Sequence, residues 1–553
     1  MPFDYRMVPL LFIANLLLLT SEQKCYSLGY EIKCIGVNTM TDRYSAIREA
    51  FHEPEINAQL FNSQFGLEAK KHRVLTNGRA SRYPYPAALR SRKHNLYLNS
   101  GFTDNMIDFE TEPVVGSKAA VRQLKMLEQI MISQLHEDER LWPLSLAPAP
   151  VYQHDLDYLI TDNSKTWDQA NHDYLGKKYG ITQEIMGDVH VNYSLDPQLV
   201  QTLYRRFYTD QYDNLVDFQN HLYFKLAQSF VLYQWLFTYL YGASPVSEDM
   251  KLPEKLDLPV RSLRSSDYGD DNLPDEQIGY DSLESHFAQL QQYLDDGTYY
   301  SLKEFFGPVR CRRHNQDNKD LQGMLDHGIN YLEFRSFDLD PLSRTGVSDD
   351  TINFLELLML DSIISPLPDN LSERLQAARK LNNEVALQQP KEQTPEMRAA
   401  ADKLIDKLQK LVDEFNAPKE YRMALKFVQR RVDDPSLTIS GQLADQIENG
   451  NLLSFGLKLA NDRFTANMNL THPLQAVSET YSDSVQQILR AAIELGVNVK
   501  LADTNVTLSV ADHQESYGAA GEFTFPDGPR AFVLNAFPEA KAFQEDSDEA
   551  DAE

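Results

Sequence analysis

Residues 329–339 read INYLEFRSFDL. Side chains of alternating character over this length describe a β-strand, and the two-residue period puts Glu333 and Arg335 on one face of it. A second segment of this kind is 181–195, ITQEIMGDVHVNYSL, β-rich around His190, with Asn192 on the same strand face as the histidine. Upstream, FNSQFGLEAKKHRVL (61–75) reads as short and extended and runs into the turn signal Asn77-Gly78. Residues 96–109 alternate imperfectly and form another candidate strand. Helical spacing marks 41–60, 121–135, 164–179, 197–241 and 350–364. Beyond about residue 370, helix-like segments follow at 370–386, 394–415, 419–431, 440–461 and 473–496, and 498–536 alternates weakly, as short strands would. Strands and helices mix without a regular βαβ alternation. The expected fold class is therefore α+β, with an antiparallel sheet in the first two-thirds and helices around and after it.

The chain has 553 residues, with 53 Lys plus Arg against 81 Asp plus Glu, a formal net charge of −28. This length suits two to four domains of roughly 100–200 residues each. The 28 Tyr and 27 Phe supply enough ring surface to argue against wholesale disorder. The acidic balance argues against nucleic-acid binding through a general basic face and against docking on an anionic membrane. It leaves open a nucleotide held by local arginines or metal ions. Cys25, Cys34 and Cys311 are too few and too scattered for a disulfide framework or a Cys-rich zinc site, so a reducing, cytoplasmic setting is expected.

The apolar run VPLLFIANLLLL (8–19) is too short to span a bilayer with certainty and lacks a clean cleavage site. Three readings of 1–39 stand: a mis-included segment ahead of MTDRYSAIREAF (40–51), a targeting segment, or a buried element. A second uncharged stretch, 226–247, is long enough to span. Its Gln228, Gln234 and Thr238, and the polar tips of its Tyr and Trp residues, make it a core helix of a large domain instead. Residues 247–282 read as loop, and EDSDEADAE from Glu545 as a disordered acidic tail. The expected divisions are 1–39, a catalytic core over 40–370, a helical part over 371–500, and short strands with the tail over 501–553.

No Walker or Rossmann phosphate loop and no nucleophile elbow is present in the sequence. The remaining chemistry-bearing residues lie on strand-like segments: Glu68, Asp108 with Asp104 four residues earlier, His190, Asn192 and Glu333. Carboxylates and an imidazole from separate strands can meet on one cation, and Mg²⁺ in particular takes oxygen ligands and keeps positions for phosphate. A lone strand Glu facing solvent, or a structural His, explains each residue taken singly. Arg264, Arg310 and Arg335 sit beside these segments and can grip phosphate through forked hydrogen bonds, although surface ion pairing accounts for them equally well.

ERLWPLSL, GDVHVNYSL, KLAQSF…WLFTYLYGASP, RSLRSSDYG and INYLEFRSFDLDPLSRTGV occur in this order. In them the sequence resembles the bacterial glutamate–cysteine ligases, above all the ligase portion of the bifunctional glutathione-synthesising proteins, from about Phe61 to about Val499. The resemblance implies a glutamine-synthetase-like curved antiparallel sheet cupping the active site. It implies ATP and Mg²⁺ (Mn²⁺ as an alternative) as cofactors and glutamate and cysteine as small-molecule substrates, joined through a γ-glutamyl phosphate. By resemblance Glu68, Asp108, His190 and Glu333 bind metal, Arg264 and Arg335 contact phosphate or the glutamyl group, and Asn192 and Arg310 serve the cofactor. The ATP-grasp part of the bifunctional relatives would follow Glu553, so the first reaction alone is implied. Neither nucleic acid nor membrane is an expected partner, and a monomer and a dimer are equally compatible with the sequence.

The sequence also departs from the family. Lys70 stands where a second acidic residue is usual and Gly101 where an Asp is usual, while Asp108 replaces a Glu. Asn171-His172 replace Tyr-Arg, and Asp270 replaces a Tyr. The first two changes thin the metal site, with Asp104 as a substitute ligand; the last two lie where the family shapes its amino-acid pocket. A different amine acceptor, or an impaired relative that only binds nucleotide or a partner, are the alternatives these changes raise.

Overall fold

The computed structural model describes residues 25–27, 30–32, 40–89, 95–101, 103, 105–161, 169–247, 258–269, 271–314 and 320–541. The apolar run at 8–19, Asp104, Asp270 and the acidic tail lie outside them, as do the side chains of Asn171 and His172. β1 (Cys25–Ser27) and β2 (Tyr30–Ile32) pair as a short ribbon. β3 (Gln64–Leu75) is a twelve-residue strand, longer than its sequence suggests. It is followed by β4 (Leu98–Ser100), β5 (Met106–Glu110), β6 (Val114–Val115), β7 (Glu139–Leu141), β8 (Val189–Ser194), β9 (Val309–Arg312) and β10 (Tyr331–Phe337). These form an antiparallel sheet in the order β4-β5-β3-β8-β10-β9, with β6 and β7 completing β3 at its two ends. The α+β expectation therefore holds.

The pleat divides this sheet into two chemically opposite faces. Phe65, Leu67 and Ala69 of β3, Ile107 and Phe109 of β5, Val191 and Tyr193 of β8, and Leu332 and Phe334 of β10 have no exposed surface. They pack under helices. Ser117–Ile132 lies on β3 and β5, Leu215–Tyr241 lies on β9 and β10, and Asp349–Ile363 lies against both helices. Ring contacts run through the layer: Phe65 to Tyr193 at 5.5 Å, Phe230 to Phe334 at 4.7 Å and Phe237 to Phe354 at 5.2 Å between centroids. A one-residue slip of any strand would send these rings to the other face, so the apolar set fixes the register.

The helix Leu215–Tyr241 is buried on most sides because the sheet covers one flank and the helix Leu371–Ala386 covers another. Its polar side chains are satisfied there: Gln228 donates to Tyr280 O at 2.8 Å, Gln234 to Ser336 Oγ at 3.1 Å, and Thr238 to Asn382 Oδ1 at 2.7 Å. Among the described residues no helix is long and apolar enough to cross a membrane.

Several helix expectations change in detail. The 41–60 segment is two helices, Met40–Ala50 and Pro54–Leu60, since Pro54 starts a new one at its first turn. The 197–241 segment holds Pro197–Leu203, a wider turn at 204–208, and Leu215–Tyr241. The 440–461 segment breaks into Ile439–Ala444 and Leu453–Met468, with Asn449 and Gly450 between them at φ 52° and 76°. In 473–496 only Asp483–Glu494 is α-helical. Strands β11 (Asn498–Ala502), β12 (Asn505–Val510) and β13 (His513–Gly518) form a small antiparallel sheet, but Pro529–Ala536 is a helix and not a strand. The C-terminal part is tied to the main sheet region: Tyr97 Oη accepts from Val499 N at 2.7 Å, and Asn95 Nδ2 donates to Ile493 O at 3.0 Å.

One buried acid lies apart from the polar face. Glu356, within Asp349–Ile363, is fully buried, and the Tyr421 hydroxyl donates to its Oε2 at 2.5 Å. Burial pushes its carboxyl from 4.5 up to about 7, against the opposing hydrogen bonds of Tyr421 and Ser63. The folded chain thus keeps a proton that the unfolded chain has released. This contribution to stability is complete below pH 4.5 and lost as pH rises through 7. Glu356→Gln, which cannot titrate, is expected to gain up to about 3 kcal/mol relative to the parent between pH 5 and pH 8. Urea titrations at the two pH values measure this; an unchanged difference would remove Glu356 from the pH dependence.

Candidate active site

The opposite face of the sheet carries the polar half of each alternation: Glu68 and Lys70 on β3, Asp108 and Glu110 on β5, His190 and Asn192 on β8, Arg310 and Arg312 on β9, and Glu333 and Arg335 on β10. Strand register makes them neighbours. Glu68 pairs with His190, Asn192 with Glu333, Glu333 with Arg310, and Lys70 with Asp108.

Glu68, His190 and Glu333 each offer a ligand atom, and these atoms all lie within 4.8 Å of one another. His190 Nδ1 is 3.1 Å from Glu68 Oε2 and 3.6 Å from Glu333 Oε1. Its Nε2 is 2.8 Å from Asp188 Oδ2. A proton on Nε2 toward Asp188 leaves the Nδ1 lone pair facing the two glutamates, the arrangement that orients a histidine ligand. Asn192 Nδ2 donates to Glu68 Oε1 at 2.8 Å. Two carboxylates and one oriented imidazole make an oxygen-rich donor set that fits Mg²⁺ or Mn²⁺.

Arginines surround this set. Glu333 accepts from Arg335 Nη1 at 2.8 Å, Arg312 Nε at 2.5 Å and Arg310 Nη1 at 3.4 Å. Burial alone would push the Glu333 carboxyl up, but Arg312, Arg310 and Arg335 hold it well below the usual range. Glu68 behaves alike: burial raises it, and the bond and charge of His190 pull it lower overall. Asp188 is also driven well below its ordinary value, with burial outweighed by His190, Lys70 and Arg264. On the β5 side burial prevails. It lifts Asp108 to about 6 despite Lys70; Glu110, exposed at the strand's end, is also raised, with the negative charges of Glu68 and Asp108 contributing.

Arg264 is fixed by Asp188 Oδ2 at 2.8 Å and by Arg335 O at 2.9 Å. With Arg335 it borders a cavity of about 230 Å³ that also meets Asp271, Phe305, Arg379 and Asn383. In its wall Arg379 Nη2 donates to Asp271 Oδ2 at 2.9 Å. Lys178 fastens the helix Gln169–Lys178 to the neighbouring segment through Glu304 Oε1 at 2.5 Å, Glu276 Oε2 at 2.7 Å and Thr298 O at 2.7 Å.

Of the residues singled out in the sequence, Glu68, His190 and Glu333 converge, Asn192 and Arg335 bond directly to members of that trio, and Arg264 reaches it through Asp188. Asp108 stands one strand away, opposite Lys70, and is not one of the three converging groups. Arg310 also braces the preceding segment, donating to Phe305 O at 2.5 Å and Lys303 O at 2.7 Å. Sequence reasoning missed Asp188 and Arg312. Each was within reach of it, since each lies two residues from a named residue, His190 and Arg310, at strand spacing.

A family model described as glutamate-cysteine ligase matches residues 49–303 and 276–385. The glutathione biosynthesis bifunctional protein of Streptococcus agalactiae is 34% identical over 445 residues, 80% of this chain and 58% of that protein. Its counterpart in Streptococcus mutans is 32% identical over 487 residues, 87% and 63% of the two chains. The chain thus spans about three-fifths of the length of these relatives. Among solved structures, a bifunctional glutathione synthetase from Pasteurella multocida superposes with a TM-score of 0.74 at 28% identity, over 85% of this chain and 60% of that one. A glutamate–cysteine ligase from Francisella tularensis in complex with AMP gives 0.64 at 20% identity over 87% and 99%, a likeness of fold.

Proposed function

The chain belongs to the glutamate–cysteine ligase family, and from that premise we propose that it joins the γ-carboxyl of L-glutamate to the amine of L-cysteine, driven by ATP. The observation that carries this reading is the convergence of Glu68, His190 and Glu333 beside a cavity bordered by Arg264 and Arg335. A carboxylate resists attack by an amine because oxide is a poor leaving group. Transfer of the γ-phosphoryl group of ATP to the glutamate γ-carboxylate yields ADP and an acyl phosphate. The cysteine amine then attacks the acyl carbon, phosphate departs with the C–O bonding pair, and the amine proton passes to solvent. Mg²⁺ or Mn²⁺ bound by Glu68, His190 and Glu333 would offset the repulsion between nucleotide and carboxylate and the charge on the transferring group.

The protein's own groups do the rest. Asp188 orients His190, and Asn192 holds the Glu68 carboxylate in place. Arg335 spans from Glu333 to the cavity, where its guanidinium serves the phosphoryl group, with Arg312 and Arg264 beside it. Arg310 supports this row from the backbone of 303–305. Asp271 and Arg379 present opposite charges to the cavity, which suits an amino-acid zwitterion. The AMP bound by the Francisella ligase accords with a nucleotide on this fold. On this reading the enzyme works in the cytoplasm, where ATP and reduced thiols coexist.

Release of ADP is expected only when glutamate and cysteine are both supplied, with γ-glutamylcysteine as the product by mass spectrometry. A panel of other amines at fixed glutamate and ATP checks the acceptor. ATP binding in a calorimeter with no turnover on any amine would overturn the proposal in favour of a non-catalytic relative.

A further inference from the structure

The face that carries the trio also carries a fixed positive charge. Lys70 follows Glu68 by two residues on β3, so both project from the same side of the pleat. It stands opposite Asp108 in register, and its backbone N–H donates to Asp188 O at 2.9 Å. The side chain is half-buried on a face otherwise supplied with carboxylates by Glu68, Asp108 and Glu110. The other cations of the face are already committed: Arg310, Arg312 and Arg335 surround Glu333, and Arg264 is paired with Asp188. On the β5 side Lys70 is the counter-charge of Asp108, and Lys303 adds a weaker one to Glu110. A lysine ammonium is charged at neutral pH without any help from its surroundings.

Beside Lys70 the same side holds a carboxylate oxygen that a second divalent ion could otherwise use. Asp108 Oδ1 is buried and has no hydrogen-bond partner among the described residues. The adjoining position is Gly101, which brings no ligand of its own. A Cβ there would lie 2.8 Å from Asp108 Oδ1 and 3.1 Å from Met106 Cβ, so the aspartate fills the space a larger residue would need. An ammonium among these carboxylates repels a nearby M²⁺ at short range.

We propose that the Lys70 ammonium is a resident cation of the site, supplying beside Asp108 the positive charge a second divalent ion would otherwise bring, so that the cluster binds one divalent ion only. This rests on the reading of Glu68, His190 and Glu333 as the ligand set, and the test separates the two. Mn²⁺ bound by the full-length protein without nucleotide is counted by electron paramagnetic resonance in the parent, Lys70→Gln, Lys70→Arg and Glu333→Gln. The parent is expected to hold one Mn²⁺ that Glu333→Gln removes, Lys70→Gln to hold two, and Lys70→Arg to remain at one. A count of one in folded Lys70→Gln, or of two Glu333-dependent ions in the parent, overturns the Lys70 inference and leaves the ligand set standing. A parent count of two overturns it even where a variant does not fold. Mn²⁺ binding indifferent to Glu333→Gln overturns both.

Discussion

Glu333→Gln is expected to lower glutamate- and cysteine-dependent ADP release by roughly 10²–10³-fold, the scale on which removing one preorganised electrostatic group slows a charged transition state. Two losses combine. An anionic ligand disappears from the trio, and three guanidinium groups lose the carboxylate they share. Because the group is buried, the second loss also destabilises the fold, by roughly 3–5 kcal/mol for an uncompensated buried charge. The depressed acidity gives that deficit a sign with pH. The Glu333 contribution is complete above its ordinary value of 4.5 and is lost progressively as pH falls from there through the lower folded-state value, so the gap between parent and variant begins to narrow in acid. Steady-state kinetics and urea titrations at pH 7 and pH 4 follow both effects. Turnover within a few-fold of the parent would exclude Glu333 from the reaction.

Asp188→Asn should be nearly as damaging although Asp188 belongs to no part of the proposed ligand set. Its Oδ2 accepts from both His190 Nε2 and Arg264 Nη2, at 2.8 Å each. The amide keeps the shape but removes the charge, and it no longer selects the histidine proton position that turns Nδ1 toward Glu68 and Glu333. Metal affinity or turnover is expected to fall about 10- to 100-fold. The buried Arg264 loses its closer counter-ion and keeps Asp338 Oδ1 at 4.0 Å, which adds a stability loss of at most roughly 3–5 kcal/mol. Mn²⁺ titration distinguishes the orienting role from a purely structural one. A variant that loses stability and binds Mn²⁺ as tightly as the parent would show that Asp188 serves Arg264 alone.

The strands that build the site were legible where alternation was clean. INYLEFRSFDL and GDVHVNYSL each gave both the strand and the face, so Glu333, Arg335, His190 and Asn192 followed from spacing. β9 was not legible, because four residues with two arginines carry no apolar rhythm long enough to register. Asp188 lies one residue before β8 begins, where the alternation continues but the strand pattern has stopped. The cavity wall was out of reach for another reason. Asp271, Phe305 and Arg379 come from separate segments, and no periodicity relates them. Helix ends depended on local backbone states, as at Asn449 and Gly450, that hydrophobic patterning does not encode. Asp104, Asn171, His172 and Asp270 remain expectations from sequence.

The strand order has one more consequence. Glu68 and His190 are 122 positions apart yet adjacent across a ladder, and the third member of the trio comes from the strand beyond. No stretch emerging early from the ribosome contains the whole trio, and contacts this distant form slowly. If the trio holds the proposed ion, a nascent chain would not meet it until β10 has docked, and the ion would reward only the finished sheet, by mass action on the native state.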